Sequence, residues 1–111
     1  MPAVVLIGPP GSGKSTVAAA LADLLAVPWH DTDAAVEAEQ GRTIADIFVV
    51  DGEAAFRALE RAEVARALAH EPGVLALGGG APMDPGTQEA LAGHLVVFLD
   101  VGIADAAKRI G

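Results

Sequence analysis

Apolar and polar positions follow two periods along this chain. Short apolar runs at residues 3–7, 28–30, 74–77 and 95–99 have the length and composition of strands. Between them, apolar residues recur at three- and four-residue spacing, the signature of helices packed on one face. The first helix is predicted over residues 14–26, with Val17, Leu21, Leu24 and Leu25 on its inner face. A second spans 34–40 and stops at Gly41, and Thr43-Ile44-Ala45-Asp46 has the capping-box form for a short helix through Phe48. Asp51 is placed to cap a long helix that ends near His70 and is closed by Pro72-Gly73. Asp84-Pro85 reads as the N-cap and first position of a helix to residue 92, and residues 105–109 as the start of another. Strands alternating with helices predict an α/β fold, a parallel sheet covered by helices on both faces. No internal repeat or low-complexity tract interrupts it.

The junction of the first strand and first helix carries the strongest chemical signal. Residues 8–15 read G-P-P-G-S-G-K-S and fit G-x-x-x-x-G-K-[ST] in full. A strand before and a helix after are the context in which this motif forms a phosphate-binding loop rather than an ordinary glycine turn. Gly11, Ser12 and Gly13 would turn backbone N–H groups inward onto phosphate oxygens, with Thr16 in the first turn of the helix behind them. The helix start adds its positive dipole end. Lys14 would bring a mobile cation to the β and γ oxygens, and the Ser15 hydroxyl would ligate Mg²⁺.

A second group of residues falls at the carboxyl ends of later strands, where open parallel sheets bind ligands. Asp31-Thr32-Asp33 follows the second strand. Read as extended chain, Asp31 and Asp33 point the same way, one to hold Mg²⁺ through water and the other to take a proton from an attacking hydroxyl. Asp33 also fits the plainer role of a helix N-cap. Arg57, with Glu60 three positions on to orient it, suits bidentate capture of a carboxylate or phosphate, against the commoner fate of a surface ion pair expected for Arg42, Arg61 and Arg66. Gly78-Gly79-Gly80 follows the third strand and is either a ligand-facing backbone or a flexible turn. Residues 95–100 imitate a Walker-B strand ending in aspartate but carry less weight than Asp31. His30, His70 and His94 stand singly, and Trp29 reads as a core or pocket-wall residue.

Composition narrows the partners. The 111 residues suit one domain, and 52% of them are hydrophobic. Seven basic against fifteen acidic residues give a net charge of −8, which argues against a nucleic-acid surface. No cysteine is available for a disulfide or a thiolate zinc site. No apolar run approaches a membrane span, no signal peptide is evident, and a cytoplasmic setting is expected. The pattern stops at Ile110-Gly111 without a closing element, so the chain is expected to be a fragment of a longer protein.

Taken in order and spacing, G-P-P-G-S-G-K-S, D-T-D, G-R-T-I-A-D-I-F, D-G-E-A-A-F-R-A-L-E and L-G-G-G resemble the shikimate kinase family. The resemblance runs from about Val4 to Gly111. It implies a P-loop kinase of the nucleoside-monophosphate-kinase type, a monomer with a five-stranded parallel sheet and a mobile lid. The implied activity is ATP-dependent phosphorylation of the 3-hydroxyl of shikimate. By that likeness Lys14 and Ser15 meet the ATP phosphates and Mg²⁺, and Asp31 binds Mg²⁺ through water. Asp33 contacts the shikimate hydroxyls as candidate base. Arg57 binds the shikimate carboxylate beside Gly79 and Gly80. Arg109 packs on the adenine ring, and Phe48 and Phe56 wall the substrate pocket. The chain departs from the family in carrying Ala76-Leu77 where a hydroxyl residue often precedes the glycines, and the lid with its arginines would follow residue 111. A gluconate-kinase-like sugar-acid kinase, or a nucleotide-binding module without transfer activity, are the competing readings.

Overall fold

The computed structural model describes residues 2–9 and 12–99. Strand β1 (Pro2–Ile7) leads through the glycine-rich loop to helix α1 (Lys14–Leu25). β2 (Trp29–Asp31) passes directly into α2 (Thr32–Gln40), followed by α3 (Ile44–Val50) and the long α4 (Glu53–His70). β3 (Gly73–Ala76), a 3₁₀ turn (Ala81–Met83), α5 (Pro85–Ala90) and β4 (Val96–Phe98) complete the described chain. The strands pair in parallel in the order β2-β3-β1-β4. The expected helix at residues 105–109, Asp100 and the candidate residues Gly11 and Arg109 lie outside the described residues.

The alternation along β1 and β3 explains both faces of the sheet. Val5, Leu75 and Leu77 point to one side and pack with Val64, Ala67 and Leu68 of α4 and with Leu91. Val4, Leu6, Val74 and Ala76 point to the other and meet Ala18 and Ala22 of α1. Strands buried on both faces read as continuous apolar runs, as these do. A third cluster, Val36, Ile47 and Phe56, joins α2, α3 and α4 beyond the sheet. Among the described residues no helix is long and apolar enough to cross a membrane.

Several details differ from the sequence expectation. The inner face of α1 is carried by Ala18 and Ala22, flanked by Val17 and Leu21, because small side chains let the helix lie close on the sheet. Leu24 and Leu25 are 84% and 50% exposed. The chain reverses at Ala26, in left-handed conformation, and Val27 takes the inner place they would have filled. α3 runs two residues past Phe48, so Asp51 ends that helix instead of opening the next. Its carboxylate accepts from Arg42 Nη2 at 2.6 Å, and α4 starts from Gly52 without a side-chain cap. Trp29 lies on the edge strand, 42% exposed, and is not part of the core; it borders a surface hollow with Ala22 and Ala26. Thr43 and Asp84 do cap their helices, accepting from Asp46 N and Thr87 N.

Candidate active site

The strand order places β3 between β1 and β2, so the glycine triplet after β3 emerges between the phosphate loop and the two aspartates. A cavity of about 330 Å³ opens there, lined by Gly13, Lys14, Ser15, Thr16, Asp31, Asp33, Leu77 and Gly79. Gly13 holds φ 87° at the turn into α1, a conformation that a side chain would strain. Lys14 folds back over the loop and donates to the Gly8 carbonyl at 2.7 Å and the Pro9 carbonyl at 3.0 Å. Burial pulls its ammonium below the usual range, against the opposing influence of Asp33 and Asp31. Ser12 is buried in the loop, and its Oγ has no hydrogen-bond partner among the described residues.

Asp31 ends β2 and does two jobs. Its Oδ1 accepts from the backbone of Asp33 at 2.9 Å and of Ala34 at 3.2 Å, which caps α2. Its Oδ2 accepts from the Ser15 hydroxyl at 2.9 Å. Asp31, not Asp33, is therefore the N-cap, and α2 begins two residues earlier than the sequence suggested. Asp33 consequently stands in the first turn of a helix, not on extended chain, yet it lines the same cavity as Asp31. Two oxygen donors on neighbouring elements, Ser15 Oγ and Asp31 Oδ2, fit a hard cation that completes its shell with water and phosphate.

Asp33 is the outlier of the site. Its Oδ1 is buried without a hydrogen-bond partner among the described residues. Burial, reinforced by the charges of Asp31 and Glu60, pushes its carboxyl up to about 6, with Lys14 pulling the other way. The carboxylate lies over the Gly78 Cα, where any Cβ would collide with it.

Arg57 and Gly80 line an adjoining hollow of about 340 Å³, together with Glu53 and Met83. Gly79 and Gly80 thus open on the two hollows in turn. Arg57 Nη1 donates to Glu60 Oε1 at 2.8 Å, and Glu60 is buried. The guanidinium carbon lies 5.3 Å from the Phe56 ring centroid and 6.0 Å from that of Phe48. A Cβ at Gly80 would strike the same guanidinium. An arginine fixed on three sides is a pre-organised fork for a carboxylate. Arg42, Arg61 and Arg66 pair with Asp51, Asp84 and Glu63.

Sequence reasoning missed one residue of this arrangement and one pairing outside it. Thr32 is fully buried, and its hydroxyl accepts from the Gly78 N–H at 3.1 Å. Gly78 had been read only as part of a triplet. His30 is not solitary: its Nε2 sits 2.8 Å from Glu63 Oε2, and Arg66 binds the same carboxylate. Hydrogen bonds from Arg66 foremost hold Glu63 below the usual carboxylate range.

The family model described as shikimate kinase matches residues 10–111. The shikimate kinase of Thermobifida fusca is 61% identical over 110 residues, covering 99% of this chain, and that of Salinispora arenicola is 57% identical over the same span. The chain spans 64% and 66% of the length of those curated relatives. Among solved structures, shikimate kinase from Acinetobacter baumannii in complex with shikimate superposes with a TM-score of 0.83 at 38% identity, covering 86% of this chain and 54% of that one. A gluconokinase from Sinorhizobium meliloti, at TM-score 0.50 and 24% identity over 86% of this chain and 55% of that one, shares the fold alone. A family model matched over residues 10–111 and relatives more than half identical to it show that the chain belongs to the shikimate kinase family.

Proposed function

We propose that the protein transfers the γ-phosphoryl group of ATP to the 3-hydroxyl of shikimate. The observation that carries this reading is Asp33, a buried carboxylate with an unpartnered oxygen and a raised proton affinity, lining one cavity with Lys14. Such a group is suited to accept a hydroxyl proton near neutral pH.

The loop amides of Gly11, Ser12 and Gly13 and the hydroxyls of Ser15 and Thr16 receive the ATP phosphates, and Lys14 exchanges its loop carbonyls for β and γ oxygens. Ser15 and Asp31 would hold Mg²⁺, which would neutralise charge on those phosphates. Arg57 takes the shikimate carboxylate, and the Gly79 and Gly80 backbone receives the ring between Arg57 and Asp33. Phe48 and Phe56 steady the arginine. The shikimate oxygen attacks the γ-phosphorus, its proton passes to Asp33, and the bond to the β–γ bridging oxygen breaks, so ADP leaves with the electron pair. Arg109 belongs to this proposal as the residue packing on adenine. So does a monomer in the cytoplasm, with ATP and shikimate as partners and neither nucleic acid nor membrane.

The test is ADP release by the full protein with Mg²⁺ and ATP, offered shikimate, gluconate or no acceptor. Release that requires shikimate is the expected result. Support by gluconate would favour a sugar-acid kinase, and release or ATP binding indifferent to shikimate would favour a nucleotide-binding module.

A further inference from the structure

We propose that Thr32 is a positioning residue whose hydroxyl sets the spacing between Asp33 and the glycine triplet. The inference rests on the functional reading above and extends it to a residue outside the assigned machinery. It starts from the end of the β2–β3 ladder. The two strands pair in register to Asp31 and Ala76. Beyond that point β3 continues straight, with the Leu77 N–H turned toward β1, where it donates to the Leu6 carbonyl at 3.0 Å. Strand alternation turns the next N–H, that of Gly78, toward β2. There the neighbouring backbone has already curled into α2 and its carbonyls run along the helix. The Thr32 hydroxyl takes their place as acceptor, at 3.1 Å, in a fully buried position.

This bond reaches both halves of the site. Thr32 lies between Asp31, whose oxygens meet Ser15 and cap α2, and Asp33. Gly78 is the floor on which the Asp33 carboxylate lies, so close that no side chain fits between them. Two residues on, Gly80 bears the same relation to the Arg57 guanidinium. The Thr32–Gly78 bond therefore fixes the height of the triplet against the base, and through Gly80 it fixes the base against the arginine. An acceptor clamped at its carboxylate has its reacting hydroxyl aligned only if that spacing holds. The phosphate loop also has ties of its own, from Lys14 to the Gly8 and Pro9 carbonyls and from β1 to β4.

The test compares Thr32→Val, which keeps the shape and removes the acceptor, with Thr32→Ser, which keeps the hydroxyl, in the full protein. A buried donor left unpaired corresponds to a loss of about tenfold to a hundredfold. Thr32→Val is expected to lower kcat/KM for shikimate by about that factor, with the KM for ATP changed by less than about twofold. Thr32→Ser is expected to stay within about threefold of the parent. The Gly78 amide resonance should move in the valine variant and hold in the serine variant. A valine variant with parental kcat/KM or an unmoved Gly78 amide, or a serine variant as impaired as valine, overturns the proposal. If valine prevents folding, Thr32→Cys, a similar shape with a weaker acceptor, is expected to give an intermediate loss, and parental activity there overturns it equally. A parent inactive on shikimate would refute the kinase reading, while the Gly78 amide would still decide whether Thr32 sets the triplet.

Discussion

Replacing Asp33 by asparagine should stabilise the protein and silence it at the same time. In the fold the carboxyl is raised from 3.8 to about 6. Two units correspond to at most ~3 kcal/mol, and partial exposure of Asp33 to solvent reduces this to about 1–2 kcal/mol. The sign follows from proton binding. Between pH 3.8 and 6 the folded protein holds this proton more tightly than the unfolded chain. Its contribution to stability is fully present below the lower value and is lost as pH rises through the upper one. At pH 7.5 the parent bears the cost of a buried charge beside Asp31 and Glu60, and a neutral amide does not. Thermal melts of the full protein, followed by circular dichroism, should place Asp33→Asn about 3–8 °C above the parent at pH 7.5. At pH 3.5 the two should coincide. Turnover should be lost at every pH, since the amide accepts no proton. A variant that melts no higher than the parent at pH 7.5, or gains equally at both pH values, would refute the reasoning.

Other substitutions separate the parts of the site. Lys14→Ala should abolish phosphoryl transfer, because the loop's backbone N–H groups cannot supply its mobile charge; ADP release measures it. Gly80→Ala would press a methyl group against the Arg57 guanidinium, and since that end can swing away, the shikimate KM should rise about tenfold or more with little change in melting temperature. Glu60→Gln removes the charge-assisted bond that orients Arg57 at 2.8 Å. Its shikimate affinity, read by calorimetry, should fall about tenfold or more while ATP affinity holds.

Much of this was legible in the residues. The apolar runs located each described strand because each is short and bounded by glycine, proline or aspartate; β1 and β3 are buried as well, whereas Trp29, Val97 and Phe98 on the edge strands are exposed. The phosphate loop declared itself because its chemistry demands particular residues at fixed spacing. Where the reading slipped, a tertiary competitor decided. Asp51 had the form of a cap, but Arg42 claimed its carboxylate and α3 extended to meet it. Leu24 and Leu25 fitted the helical stripe, but alanines let α1 sit too close for them to be needed inside. Asp31 and Asp33 converge on one cavity for a reason the period-two pattern did not contain: Asp31 caps its own helix and carries Asp33 round on the first turn. The Thr32–Gly78 bond spans 46 residues, and pairing at that distance leaves no local signal.

The central claim is that one sheet edge holds a phosphate half and an acceptor half, which meet in one cavity at Asp33 and Gly79 and extend to Arg57 and Gly80 in the adjoining hollow. The direct measurement is an amide NMR titration of the full protein with shikimate, repeated with Arg57→Ala. The account expects saturable shifts at residues 33, 57, 79 and 80, little movement at Lys14 and Ser15, and loss of saturation in the variant. Shifts centred on the phosphate loop, or binding that survives Arg57→Ala unchanged, would contradict it.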